Sequence, residues 1–207
     1  MHLFLASSLD KTLPLLKPLL HGKTATKIAF VANASDHAEG DIWWVNNDRI
    51  EFEKLGHTVT NVDLRTITAD ELKQVLTDSD ILHVAGGSVF YLMGLIKKRG
   101  FEMIITNAVR SGSIIYTGTS AGSMIVCPSL AMFAFDEEES EFLKDVPDQR
   151  GLGLINFGIM PHSNNAEFVS EFDKVVEKFP INTEPLLFIQ DTKAVWVEDD
   201  TFKIVSI

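Results

Sequence analysis

Short, almost wholly apolar runs alternate with longer amphipathic segments along this chain, and that alternation restricts the fold more than any other feature. Residues 2–6, 27–33, 58–63, 81–85, 113–117 and 186–190 have strand length, and most place apolar side chains at consecutive positions. A strand that is apolar on both faces must be covered on both faces, which calls for helices above and below a sheet. The intervening stretches 38–55, 68–77, 90–98 and 166–179 carry helical spacing. In the last of these, Phe168, Phe172, Val175, Val176 and Phe179 fall on one face. Thr68 and Glu71 form a capping box that marks a helix start. The pattern predicts an α/β fold, a three-layer sandwich with a mainly parallel central sheet. Residues 194–197 and 202–207, joined through Glu198-Asp199-Asp200, predict a closing hairpin.

No repeat, linker or low-complexity tract interrupts the 207 residues, so a single domain is expected. A chain of this length buries a core without disulfides. Its one cysteine, Cys127, rules out an internal disulfide and an all-cysteine zinc site, and suits a reducing compartment. Lysine and arginine total 18 against 29 acidic residues, a net charge of -11, which is the wrong sign for gripping phosphate backbones. No nucleic-acid partner is expected. The first twenty residues lack a basic start followed by an unbroken apolar core, because Ser7, Ser8, Asp10 and Lys11 interrupt it. No run is long and apolar enough to cross a bilayer, and a cytoplasmic location is expected.

The stretch with most chemical content is Ile114 to Ile125, in which an apolar strand runs into Gly118-Thr119-Ser120-Ala121-Gly122 and then into a helix. In that context Gly-x-Ser-x-Gly reads as a nucleophile elbow: a serine on a strained turn, its hydroxyl projecting above the carboxyl ends of the strands. The competing reading is a tight turn with Ser120 as a helix cap. Ser123, one residue past the second glycine, is expected to be helical and less exposed.

A serine hydroxyl needs a base. Among the histidines, His2 and His83 fall in strands, and His21, His37 and His57 in polar loops or helix ends. His162 stands just past the apolar run Gly158-Ile159-Met160-Pro161 and opens a polar loop, which selects it as the base. A carboxylate should orient the ring. Asp191, at the end of the run 185–190, is preferred; Asp136, opening the acidic run Asp136-Glu137-Glu138-Glu139, is the competitor, since such runs are usually solvated loops. Two oxyanion donors are expected, the N–H of Ala121 and that of Gly87, in the Gly86-Gly87-Ser88 turn after strand 81–85. No nucleotide-binding glycine pattern occurs, and no paired His/Cys spacing supports zinc, so neither an organic cofactor nor a metal is expected. Trp43-Trp44 and the Phe168/Phe172 stripe are assigned to core or interface.

Three motifs taken together, Ala85-Gly86-Gly87-Ser88-Val89-Phe90-Tyr91-Leu92, Gly118-Thr119-Ser120-Ala121-Gly122-Ser123, and Gly151-Leu152-Gly153-Leu154 leading to Pro161-His162, resemble the peptidase E family of serine peptidases, which includes α-aspartyl dipeptidase and the cyanophycinases. The resemblance implies a fold similar to class I glutamine amidotransferase domains, with Ser120 as nucleophile, His162 as base, and Gly87 with Ala121 as oxyanion donors. Asp191 stands where the family's late acidic residue is expected, and Asp136 near another carboxylate considered for that role. The implied substrate is a small peptide, with a homodimer compatible. Ser88 and Val89 replace the usual Asn-Thr pair. The segment 163–167 offers no arginine to pair with an aspartyl side chain, so the resemblance leaves aspartyl specificity open. Two further readings follow from the same residues: an esterase using the same nucleophile, and a binding module without turnover, in which Ser120 and His162 lie on opposite faces.

Overall fold

The strand pairing of the computed structural model, which describes residues 1–20, 26–179 and 185–207, sets the whole architecture; His21 lies outside these residues. In chain order the elements are β1 (His2–Ala6), α1 (Leu9–Leu16), β2 (Lys27–Val31), α2 (Trp43–Lys54), β3 (Thr58–Asn61), α3 (Ala69–Asp78), β4 (Ile81–Val84), α4 (Val89–Arg99), α5 (Glu102–Arg110), β5 (Ile115–Thr119), α6 (Ala121–Met124), β6 (Gly158–Met160), α7 (Val169–Lys178), β7 (Leu186–Phe188), β8 (Lys193–Glu198) and β9 (Thr201–Ser206). The main sheet runs β3-β2-β4-β5-β1-β8-β9. Its first five strands are parallel, and the β8–β9 hairpin joins antiparallel to β1 through Leu3 opposite Val197.

The period of two along each strand divides the core. Leu3, Leu5, Ala29, Val31, Leu82 and Val84 face one side, where α3, α4 and α5 bring Leu72, Leu76, Met93 and Ile105. Phe4, Ala6, Ile28, Phe30 and Ile81 face the other, covered by Leu9, Leu13 and Leu16 of α1 and by Val45 and Phe52 of α2. Helices therefore cover both faces of a mainly parallel sheet, the layering read from the apolar runs. The capping box forms as expected: Thr68 Oγ1 accepts the Glu71 N–H at 3.3 Å, and Glu71 Oε2 accepts the Thr68 N–H at 2.8 Å.

Three expectations are corrected. Residues 186–190 do not enter the main sheet; Leu186–Phe188 pairs in parallel with Gly158–Met160 as a separate two-stranded sheet. The place beside β1 is taken by β8, so β7 cannot pair there. The helix expected over 38–55 starts only at Trp43, since Gly40 holds φ at +83°, outside the right-handed helical region. Val176 is 62% exposed rather than part of the buried face of α7, whereas Val175 is buried. Helix α1, for which no expectation was drawn from the sequence, carries Pro14 within it, and its Leu9, Leu13 and Leu16 supply a buried stripe at helical spacing.

Candidate active site

The turn between β5 and α6 brings the backbone to an unusual conformation at one residue. Ser120 has φ 47° and ψ -115°, a strained conformation for a residue with a Cβ. The two flanking glycines make the turn sterically feasible. A Cβ on Gly118 would lie 2.5 Å from the Gly122 carbonyl, and a Cβ on Gly122 would lie 2.0 Å from the Val84 carbonyl oxygen of β4. Helix α6 thus sits directly on the backbones of two strands, and its first turn is clamped where Ser120 emerges. Ser123, the other hydroxyl of the turn, is fully buried and donates to the carbonyls of Ala6 and Gly118, both at 2.8 Å. It is committed to holding α6 against the sheet.

Ser120 and His162 line one cavity of about 330 Å³ above the sheet. His162 also has a positive φ, 61°. Its Nδ1 lies 2.7 Å from Asp191 Oδ1. A carboxylate oxygen accepts, so Nδ1 carries the proton and, in the neutral ring, Nε2 is left as the acceptor. The ring stacks on Phe168 at 4.7 Å between centroids and 15° between planes. Asp191 is nine-tenths buried, and its N–H donates to Asn164 Oδ1 at 2.9 Å, which ties the acid's loop to the histidine's loop. Among the described residues the Ser120 hydroxyl makes no hydrogen bond to the His162 ring. Catalytic hydrogen bonds often tighten only when substrate is bound.

Asp136 lines the same cavity but does not reach the histidine; its Oδ1 accepts the N–H of Glu138 at 2.9 Å. Gly87 is exposed, with φ 144°, and a Cβ there would lie 2.2 Å from the Ala34 carbonyl oxygen. Its loop rests on the short helical turn Asn33–Ser35: Ser88 N–H donates to the Ala34 carbonyl at 2.8 Å, and Ser35 Oγ donates to the Gly86 carbonyl at 2.6 Å. Ala121, by contrast, is fully buried beneath the turn and does not itself line the cavity. Among the described residues no acceptor takes the N–H of Gly87 or of Ala121. Trp44, Phe168 and Phe172 line the cavity, which corrects their assignment to core or interface alone. Among the described residues no group of three histidine, cysteine or carboxylate side chains is arranged to hold a metal ion.

Three supporting residues escaped sequence reasoning. Ser7, which follows β1, accepts the His162 N–H on its Oγ at 3.0 Å, while the neighbouring Ala6 carbonyl accepts the Ser120 N–H at 3.0 Å. The end of one strand therefore anchors both candidate residues. Asp48 of α2 is buried and accepts from the Thr119 hydroxyl at 2.7 Å and from His83 Nε2 at 3.2 Å, bracing the residue before Ser120. Glu139, 6% exposed, accepts from Ser88 Oγ at 2.6 Å and from the N–H groups of Val89 and Phe90 at 2.7 and 3.0 Å. Only a carboxylate spaced within an acidic run marks it in the sequence, and that signal favours a solvated loop.

Burial pushes the Glu139 carboxyl up, against the lowering effect of those three donors. A raised carboxyl contributes stability that is complete below the ordinary glutamate range and is lost as pH rises through the raised value. Glu139→Ala should cost about 1–3 kcal/mol by stripping two helix-start N–H groups of their acceptor. The loss, measured by denaturant melts, should be larger in mild acid than near neutrality. An unchanged midpoint at both pH values would remove Glu139 from this supporting role.

A model of peptidase family S51 matches residues 3–205 of the chain. The uncharacterized peptidase Lin0382 of Listeria innocua is 28% identical over 204 residues, spanning 94% of this chain and 95% of its own. A peptidase E of Citrobacter koseri is 29% identical over 163 residues, spanning 76% of this chain and 63% of its own. The crystal structure of a candidate peptidase E protein from Listeria monocytogenes EGD-e aligns over 100% of this chain and 98% of that one, with a TM-score of 0.86 and 25% identity. No helix among the described residues is long and apolar enough to cross a membrane.

Proposed function

The chain belongs to peptidase family S51, the peptidase E family, and on that premise we propose that it is a serine-type hydrolase of small peptides working through Ser120, His162 and Asp191. The observation that carries this reading is the 2.7 Å bond between His162 Nδ1 and Asp191, at the edge of a cavity that Ser120 also lines. A binding module without turnover would leave Ser120 and His162 on opposite faces, so their shared cavity favours catalysis.

In this scheme His162 Nε2 takes the Ser120 proton as Oγ attacks the scissile carbonyl. Asp191 keeps the ring in the tautomer that leaves Nε2 free and stabilises the imidazolium that forms. The N–H groups of Gly87 and Ala121, which have no other acceptor among the described residues, are the candidates to hold the oxyanion. Collapse of the tetrahedral intermediate passes the proton from His162 to the leaving amine and gives an acyl-Ser120. Water, deprotonated by the same Nε2, then releases the acid and restores the serine.

The test is covalent labelling. A fluorophosphonate probe should add one phosphonyl group to the protein, and peptide mapping by mass spectrometry should find it on Ser120. Modification confined to Ser123 or to another residue, or an unmodified protein, would overturn the proposal.

A further inference from the structure

The cavity lined by Ser120 and His162 has a composition that the catalytic scheme leaves unused. Its apolar surface includes Met132, Phe133, Phe168 and Phe172, and its charged surface is Asp136, Glu138, Glu139 and Glu141. Among the described residues no lysine or arginine lines it. Nor does any described lysine or arginine form an ion pair with these four carboxylates; Lys174 pairs instead with Glu137, outside the lining, at 3.7 Å. The two lining histidines are engaged elsewhere. His162 holds Asp191, and the His37 ring packs on Tyr91 and Phe142 at 4.3 and 5.0 Å.

From this composition we infer that the residue a substrate seats in the cavity is uncharged and apolar, and that substrates presenting a carboxylate there are rejected. The inference rests on the proposed peptidase reading and names the substrate class of that same site. A carboxylate entering the cavity would shed its hydration without finding a cation, and would meet fixed carboxylates as well. An apolar side chain meets neither cost and gains burial against the methionine and phenylalanine lining. Discrimination of this kind is strong because the rejected group is left unpaired. Glu139 is already saturated by Ser88 and the start of α4, so the adjustable charge is that of Glu138 and Glu141, both exposed at the cavity.

The experiment compares dipeptides of matched length carrying leucine, phenylalanine or aspartate at the same position, each with a free and an acetylated N-terminus. Turnover is read on the wild-type protein, and binding by calorimetry on Ser120→Ala, which holds peptides without cleaving them. The leucine and phenylalanine peptides should exceed the aspartate peptides by roughly tenfold or more in both readouts. The double change Glu138→Gln with Glu141→Gln should narrow that ratio at an unchanged melting temperature. Aspartate peptides that bind Ser120→Ala as tightly as the apolar ones would overturn the inference, whatever the turnover. An apolar preference in binding without wild-type turnover would uphold the inference and reject the peptidase reading. A free N-terminus that binds better than an acetylated one would add attraction of the substrate ammonium to the same electrostatics, whereas a preference for aspartate in both forms would contradict it.

Discussion

Ser120→Ala is expected to lower kcat for a small peptide by about 10⁶-fold, the loss seen when a serine nucleophile and its base act as a unit. Asp191→Asn should lower it by about 10⁴-fold, because an amide at that position presents a donor to His162 Nδ1 and favours the tautomer whose Nε2 carries the proton. The bond at stake is short and part-buried, 2.7 Å between Nδ1 and Oδ1, so water does not readily substitute for it. Asp136→Asn should have a small effect, since Asp136 caps a turn at Glu138 and makes no bond to the histidine. Steady-state kinetics on the three variants, with circular dichroism to establish folding, separates the two acids. A large loss at Asp136 with a small one at Asp191 would reverse their assignment.

The second large effect is on stability. Gly122→Ala should cost about 4 kcal/mol or more, placing it among the exceptional single substitutions. A Cβ at Gly122 would fall 2.0 Å from the carbonyl oxygen of Val84, and that oxygen belongs to a central strand flanked by β2 and β5. Neither backbone has a side-chain rotamer through which to relieve the clash, so α6 must lift off the sheet. The lift would break the hydroxyl bonds of Ser123 to Ala6 and Gly118, adding to the loss. For a chain of this size the melting temperature should drop by on the order of 10 °C. Gly153→Ala serves as the comparison: its φ is +59° but a Cβ there meets nothing within 4 Å, so only the local backbone penalty of about 1–2 kcal/mol applies. Equal melting temperatures for the two variants would show that the contact between α6 and β4 is not what limits the turn.

Much of the layering was legible because it follows from side-chain periodicity. Runs such as Ile81–Val84 have only one environment open to them, a strand covered on both faces. The Gly118/Gly122 spacing was legible for a related reason: two residues without a Cβ around a serine allow a close strand-to-helix turn. The fate of residues 186–190 was less so. Their apolar character marks a strand, but a strand's partner depends on which edges are free, and β8 had taken the one beside β1. Glu139 illustrates the same limit among the charged residues. Within Asp136-Glu137-Glu138-Glu139 nothing local separates the buried cap of α4 from its solvated neighbours.

The sequence by itself determined a sheet covered on both faces, the candidate serine on its strained turn, and a histidine loop following an apolar strand, since each depends on residues close together in the chain. Tertiary structure decided that Asp191 rather than Asp136 meets His162, that Ser7 and Ala6 anchor both candidate residues, and that the described lining of the cavity above them holds carboxylates without a lysine or arginine. Those outcomes join positions up to 155 residues apart. Local propensity acts over a few residues, whereas such contacts exist only once the sheet has set the order and register of its strands.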